Sequence, residues 1–200
     1  MSYEDIYRDM TLAAHRAYSR GIQTGSGGNM SARIPGKSAM VVKSSGGSFA
    51  DCTEKGAGWV ATDFDGALLL GESGKPTREW LLHGALLKAL PNVGAIVHFH
   101  SPYSIVWARE HDEIPLTTWH SGLKFGCPIP VVDVPSAVVP AQEIPRILKL
   151  FDENPALPGF VLRGHGLVAV GKNAVAAEHA AELIEETAKI TVLEHLLQSK

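Results

Sequence analysis

The sequence contains two histidines separated by a single residue, His98 and His100, at the end of an apolar segment. Residues 93–100 are rich in valine, isoleucine and alanine, which predicts a buried strand. Because alternate side chains of a strand point to the same face, both imidazoles should project side by side while Phe99 enters the core. Such a pair can bind one divalent metal ion. The alternative interpretation is one histidine in the core and the other at the surface.

Two further residues lie where a metal site could use them. His165 stands between two glycines, which permit a sharp turn that presents the imidazole without steric competition. Glu79 falls at the start of a predicted helix, where a carboxylate is also favoured simply by the helix dipole. His83 follows one turn later on the same predicted helix. It could support Glu79, but packing is the preferred interpretation.

A run of small residues, Gly25-Ser26-Gly27-Gly28-Asn29, offers successive backbone N–H groups with no large side chains in the way. Nests of this kind bind phosphate oxygens. The run lacks the spacing of a P-loop or of a dinucleotide-binding loop, so it does not predict a nucleotide site. An ordinary glycine-rich turn over residues 24–33 is the alternative.

Composition limits the chemistry that is open to the chain. Nine histidines stand against two cysteines, Cys52 and Cys127, so a transition metal would be held mainly by histidine and carboxylate ligands. Two cysteines also exclude a disulfide framework. The 18 Lys+Arg and 21 Asp+Glu residues give a net charge of −3, which argues against nucleic acid as a partner.

The first ten residues are polar and acidic, unlike a signal peptide. No stretch approaches the roughly 20 apolar residues that a membrane-spanning helix needs. We therefore expect a cytoplasmic protein that does not enter a membrane.

Residues 1–200 are expected to form a single domain, because no repeat or linker interrupts them. Helices are predicted over residues 3–20, 78–90, 102–109, 141–152 and 174–198. Strands are predicted over residues 40–43, 59–62, 67–70, 93–100, 129–134, 160–163 and 167–170. Strands and helices alternate, but several strands are close enough in sequence for hairpins. A mixed or mostly antiparallel sheet layered with helices is therefore expected.

Five short motifs appear in a fixed order along the chain. They are Gly27-Gly28-Asn29-Met30-Ser31, Lys43-Ser44-Ser45-Gly46, Pro76-Thr77-Arg78-Glu79, Gly94-Ala95-Ile96-Val97-His98-Phe99-His100-Ser101 and Arg163-Gly164-His165-Gly166. Their order and spacing resemble the class II aldolase/adducin-like family, and the resemblance covers residues 5–195. It implies an α/β (α+β-like) fold with three α/β/α layers around a mostly antiparallel sheet. It also implies a homotetramer with active sites at subunit interfaces.

The resemblance implies a role for each motif. The metal ligands would be His98, His100, His165 and, in the resting state, Glu79, which would be the catalytic base once substrate displaces it. The ion would be Zn²⁺, with Mn²⁺ or Co²⁺ as alternatives. The residues expected to bind substrate phosphate are Gly28, Asn29, Ser45, Gly46, Thr77 and Arg78.

The activity implied is a metal-dependent aldolase that reversibly cleaves a ketose 1-phosphate into dihydroxyacetone phosphate and an aldehyde through an enediolate that the metal stabilises. A decarboxylase of 3-oxo-tetronate 4-phosphate type is the first alternative, since it forms the same enediolate. An epimerase is ranked lower because the resemblance implies that the epimerase branch has an Asp at the place of Glu79. A dehydratase is also ranked lower because it lacks this Glu. A non-catalytic adducin-like scaffold would have broken metal ligands.

The sequence departs from the family pattern at two places. Thr77-Arg78 stands where the aldolase has two serines, and the decarboxylase carries a cation there as well. Trp119 aligns with a tyrosine that acts as an acid across the subunit interface. Because indole is no useful proton donor, we expect the next residue, His120, to be the catalytic acid. The alternative for His120 is an ordinary surface residue.

Overall fold

The computed structural model describes residues 2–198, and within this range eight strands form one sheet in the order β3-β2-β1-β4-β8-β7-β6-β5. The strands are β1 (Asn29–Arg33), β2 (Ala39–Lys43), β3 (Trp59–Asp63), β4 (Ala95–Phe99), β5 (Glu113–Ile114), β6 (Ile129–Val132), β7 (Gly159–Leu162) and β8 (Gly166–Gly171). Neighbouring strands are antiparallel except for β6 and β7, which are parallel. The predicted mostly antiparallel sheet is confirmed.

Helices cover both faces of the sheet, so the predicted α/β/α layering is also confirmed. They are α1 (Tyr3–Ser19), α2 (Trp80–Ala89), α3 (Pro102–Trp107), α4 (Trp119–Phe125), α5 (Ile144–Glu153) and α6 (Ala174–Gln198). Helices α1 and α3 both contact α6 on one face, and α2 contacts α5 on the other. No helix in the described range combines the length and the apolar content that a membrane span requires.

The central strand β4 contributes to the cores on both faces of the sheet. Ile96 packs in the core beside α2 and α5, whereas Val97 and Phe99 pack in the core beside α1 and α6. The Phe99 ring meets Phe49 edge to face, with centroids 5.7 Å apart. This alternation confirms that Phe99 points away from the face to which His98 belongs.

Two predictions of local structure are wrong. Residues 67–70 do not form a strand and make only an isolated bridge between Leu68 and Thr62, because the turn after β3 is closed by Asp63, whose Oδ1 accepts from the N–H groups of Asp65 and Ala67. The predicted turn over residues 24–33 stops at residue 28, and Asn29 already pairs with His98 on β4. Strand pairing therefore extends to the glycine run.

Arg33, at the end of β1, anchors helix α2 to the sheet. Its guanidinium donates to the carbonyl oxygens of Leu87, Leu90 and Val93. Leu87 lies in the last turn of the helix, Leu90 is its C-cap and Val93 follows it. The carbonyl of Leu87 would otherwise lack a helical partner, because the residue four positions later is Pro91, which has no N–H. Helix α2 is thus held at its C-terminal end by the strand that carries Asn29 at the other end.

Candidate active site

Three histidines from two distant segments meet at one end of the sheet. His98 is the fourth residue of β4, His100 follows that strand, and His165 lies in the turn between β7 and β8. Pairing of β4 with β8 brings the two segments together, because Phe99 pairs with Leu167. One ring nitrogen from each histidine lies within 4.8 Å of the others. The predicted group of three imidazoles is therefore assembled.

The geometry of these imidazoles fits a divalent ion. His98 Nδ1 lies 3.0 Å from the carbonyl oxygen of Leu167 and donates to it, which leaves the lone pair on Nε2. This Nε2 lies 3.3 Å from His165 Nε2. Two nitrogens that each lie about 2.0–2.1 Å from a tetrahedral metal are about 3.3–3.4 Å apart. A cation between these two nitrogens would accept both lone pairs when His165 carries its proton on Nδ1.

Electrostatics keeps the imidazoles neutral at pH 7. Burial, followed by the neighbouring His165, lowers the pKa of His98 well below its ordinary value. Burial likewise lowers the pKa of His165 to about 4, with a further contribution from His100. Neutral imidazoles are the form that binds metal, so these ligands need not lose a proton first.

Glu79 completes the group from the N-terminus of α2. Its Oε2 lies 3.5 Å from His98 Nε2 and accepts a 2.5 Å hydrogen bond from Asn29 Nδ2. Its Oε1 is buried and has no hydrogen-bond partner among residues 2–198. Burial raises the pKa of Glu79 to about 6. A buried carboxylate with an unpaired oxygen beside three imidazoles fits a fourth ligand to a cation.

A cavity beside the histidines gathers every residue that was predicted to bind phosphate. The residues are Gly28, Asn29, Ser45, Gly46, Thr77 and Arg78, and Glu79, His100 and His165 line the same cavity. Three separate segments, around residues 28, 45 and 77, therefore converge next to the candidate metal ligands. The side chain of Asn29 is already engaged by Glu79 and by His83, whose Nε2 lies 2.5 Å from Asn29 Oδ1.

Gln23 fixes the glycine run against the end of β4, where His98 and His100 lie. Its Oε1 accepts from the backbone N–H of His100 at 2.7 Å, and its Nε2 donates to Thr24 O at 2.7 Å. A Cβ at Gly27 would lie 2.6 Å from His100 Nδ1, and Gly28 has a φ of +64°. Only glycine fits this close approach, so the run is closely packed and is not a loose turn.

Lys43 is a member of the cavity that sequence reasoning did not assign. It ends β2, and its buried Nζ lies 3.5 Å from the carbonyl oxygens of Ser26 and Ser44. Burial lowers the pKa of Lys43. No carboxylate from residues 2–198 pairs with it. The signal in the sequence was a lysine immediately before Ser-Ser-Gly, but its burial could not be read from the motif.

Comparison with known proteins identifies the family of the chain. Residues 8–192 match the family model described as the class II aldolase and adducin N-terminal domain. The chain belongs to this family. Class II aldolases use a divalent metal, and the three histidines could bind one. The chain is therefore an enzyme of the class II aldolase superfamily.

Individual members of the class II aldolase family differ in reaction. The chain is 32% identical over 183 residues to L-ribulose-5-phosphate 4-epimerase UlaF of Salmonella paratyphi C, covering 85% of this chain and 76% of that protein. It superposes on an L-fuculose 1-phosphate aldolase with a TM-score of 0.83 at 22% identity, covering 96% and 87% of the two chains. The L-fuculose-1-phosphate aldolase from Thermus thermophilus has a TM-score of 0.82 at 18% identity, with 97% and 96% covered. These two structures establish the shared fold.

The predicted acid, His120, lies apart from the candidate active site of its own chain. It is exposed on α4 and lines a cavity with Lys124, Phe125 and His179, which is not the cavity that Glu79 lines. On the same helix Trp119 is 90% exposed and Leu123 is 84% exposed. His120 could therefore act only at the site of a second copy, and its role stays a prediction.

Proposed function

We propose that the protein is a metal-dependent aldolase that reversibly cleaves a ketose 1-phosphate into dihydroxyacetone phosphate and an aldehyde. The observation that carries the proposal is the position of Glu79. Its Oε2 lies 3.5 Å from His98 Nε2, in a cavity that also contains a buried ammonium and a glycine run. A carboxylate beside a cation site and next to a phosphate pocket is suited to proton transfer on a phosphorylated substrate.

Four residues would hold the cation in the resting state, namely His98, His100, His165 and Glu79, and substrate would displace Glu79. When bound, a divalent ion supplies Lewis-acid stabilisation of negative charge on the substrate oxygens. Zn²⁺ suits three imidazoles and a carboxylate, and Mn²⁺ or Co²⁺ would be accepted by the same ligands.

Glu79 would move the proton at the reacting carbon. In cleavage, the C4 hydroxyl loses its proton, the C3–C4 bond breaks as the aldehyde carbonyl forms, and the bond's electron pair passes to C3. Protonated Glu79 then delivers its proton to C3, which gives dihydroxyacetone phosphate. In condensation the Glu79 carboxylate removes that proton again. Burial raises the pKa of Glu79 to about 6, which favours the protonated form that delivers the proton.

Phosphate binding would orient the substrate for this transfer. Lys43 and Arg78 provide two cations on the cavity wall, and Gly28 and Gly46 provide backbone without side chains in the way. Binding energy from the non-reacting phosphate then positions the carbon chain beside Glu79. Ser45, Thr77 and Asn29 are the polar residues that we assign to the same pocket.

The C4 hydroxyl proton would pass to His120 of a second copy and return to the aldehyde oxygen in condensation. We propose a homotetramer with active sites at its subunit interfaces. The exposed Trp119 and Leu123 beside His120 support an interface there. We also propose a cytoplasmic location, in which the two free cysteines, Cys52 and Cys127, would stay reduced.

Two other reactions are favoured by specific observations. The similarity to L-ribulose-5-phosphate 4-epimerase favours a 4-epimerase. Against it, the family resemblance implies an Asp in the epimerases where this chain has Glu79. Arg78, a planar cation on the cavity wall, favours a decarboxylase of 3-oxo-sugar-acid phosphates.

One screen separates these reactions. Purified protein is incubated with ketose 1-phosphates, L-ribulose 5-phosphate and 3-oxo-sugar-acid phosphates, and dihydroxyacetone phosphate, 4-epimer and carbon dioxide are measured. We expect dihydroxyacetone phosphate from a ketose 1-phosphate. Formation of the 4-epimer or of carbon dioxide alone would replace the aldolase proposal with the matching alternative.

A second experiment tests Glu79 directly. Glu79→Gln should abolish exchange of solvent deuterium into the hydroxymethyl carbon of dihydroxyacetone phosphate, because the amide cannot accept the proton. Glu178→Gln changes a buried carboxylate of α6 outside the cavity and should keep the exchange. Normal exchange in Glu79→Gln would remove Glu79 from the mechanism.

A further inference from the structure

A buried chain of hydrogen bonds extends from the candidate base into the core. Glu79 Oε2 lies 2.5 Å from Asn29 Nδ2, Asn29 Oδ1 lies 2.5 Å from His83 Nε2, and His83 Nδ1 lies 2.7 Å from Ser31 Oγ. All four residues are at most 6% exposed. Water therefore has little opportunity to replace any of these partners, and each bond depends on its neighbour.

The direction of every bond in the chain follows from its first member. An ionised carboxylate only accepts, so the Asn29 amide nitrogen must donate to Glu79. The amide oxygen then faces His83 and must accept from Nε2–H. A neutral imidazole with its proton on Nε2 has its lone pair on Nδ1, which accepts from the Ser31 hydroxyl. The histidine is thereby restricted to one tautomer.

We propose that His83 is a positioning residue that fixes the orientation of the Asn29 amide and, through it, the Glu79 carboxylate. Without a donor at His83, the buried Asn29 Oδ1 loses its only hydrogen-bond partner in the described part of the chain, and the amide that donates to Glu79 is then held at one end only. The role rests on the proposed function of Glu79 as the group that transfers the proton.

Helix α2 supplies two members of this hydrogen-bond chain, Glu79 and His83, and strand β1 supplies the other two. Glu79 is the N-cap of α2, and His83 lies one turn later, with its backbone N–H 3.3 Å from Glu79 O. Asn29 and Ser31 are alternate residues of β1 and project to the same face of the sheet, toward that turn. The strand thus bridges two side chains of one helical turn.

Two substitutions of His83 separate positioning from packing. His83→Phe keeps an aromatic ring but removes the donor, and we expect kcat to fall by roughly 10-fold or more while KM changes much less. His83→Gln can donate to Asn29 Oδ1 through its amide nitrogen and should restore much of the lost kcat. Thr191→Val removes a buried hydrogen bond on α6, from the Thr191 hydroxyl to Thr187 O, outside the cavity, and should leave kcat unchanged. Bound metal is measured in each variant.

The tautomer is measured in the full wild-type chain, so the proposal does not depend on the folding of a variant. Long-range ¹H–¹⁵N correlation of ¹⁵N-histidine protein, assigned with His83→Gln, should give a protonated Nε2 and an unprotonated Nδ1 for His83. The opposite tautomer would overturn the proposal.

The outcomes distinguish this proposal from the proposed function. If Glu79→Gln loses deuterium exchange but His83→Phe turns over like wild type, the positioning role is refuted and the role of Glu79 stands. Equal losses in His83→Phe and His83→Gln would indicate packing and also refute it. If Glu79→Gln exchanges normally, the proposed function fails by itself, whatever the tautomer of His83.

Discussion

The two glycines that flank His165 differ in their surroundings, and this difference allows a matched test of the metal site. A Cβ at Gly166 would collide with the carbonyl oxygen of Phe99 and lie 3.0 Å from Phe99 C and 3.1 Å from His100 Cα. A Cβ at Gly164 would meet nothing within 4 Å. Both residues have a positive φ, +155° and +71°. Substitution by alanine therefore strains both positions but crowds only one.

The expected magnitude follows from these distances. Extending the 3.0 Å contact with Phe99 C to an ordinary 3.4 Å moves the backbone of β4 away from β8 by at least about 0.4 Å, and the closer contact with Phe99 O requires more. Metal–ligand distances tolerate only about 0.2 Å. The backbone that would move carries His98 and His100. We expect Gly166→Ala to weaken metal binding by roughly 10- to 100-fold. Gly164→Ala should cost about 1–2 kcal/mol of stability through its left-handed φ, with little change in metal affinity.

The assay is titration of metal-free protein with Zn²⁺ by calorimetry, together with thermal unfolding of the metal-free forms. Unfolding separates a general loss of stability from a specific loss of ligand geometry. Wild-type affinity in Gly166→Ala would refute the reasoning that the β4–β8 contact sets the metal site. An equal loss of affinity in both variants would assign the effect to strain in the turn.

Three other predictions concern the proposed phosphate pocket, a buried carboxylate and the proposed subunit interface. Lys43→Met should raise KM for a phosphorylated substrate by at least roughly 10-fold without loss of bound metal, because a desolvated cation is removed from the pocket; steady-state kinetics and metal analysis check this. Burial raises the pKa of the Glu185 carboxyl above its ordinary 4.5. The protonated carboxyl therefore contributes stability below pH 4.5, and this contribution is lost as the pH rises through the folded-state pKa. Urea unfolding at a series of pH values should show that wild type loses stability relative to Glu185→Gln over this range. Leu123→Glu should reduce the oligomer to smaller species by sedimentation, together with activity, since the substitution charges the exposed α4 surface; an unchanged sedimentation coefficient would contradict an interface there.

Much of the candidate site could be predicted because its signals are local. The spacing of His98 and His100 needs only the alternation of a strand, and the glycines around His165 need only the geometry of a turn. Boundaries of most helices and strands followed from hydrophobic period for the same reason. The prediction of a strand over residues 67–70 is wrong because a short apolar segment has no hydrophobic period that distinguishes a strand from a turn.

Other features depend on residues that are distant in sequence. Pairing of Asn29 with His98 and of Phe99 with Leu167 is a matter of register between strands, which no single segment specifies. The 3.3 Å approach of His98 to His165 follows from that register. The sequence favours a packing role for His83, since the side chains that it contacts lie on a strand more than 50 residues away and cannot be read from its own helix.

The sequence by itself determined which chemical groups are available: three imidazoles, one carboxylate and a glycine run, in the order that marks the class II aldolase family. Tertiary structure alone decided that Lys43 is buried beside the glycine run and that Asn29 is hydrogen-bonded to both Glu79 and His83. It also decided that His120 is absent from the site of its own chain. The physical reason is that residue type sets what a group can donate, accept or bind, whereas burial and direction arise only when the packing of distant segments removes water.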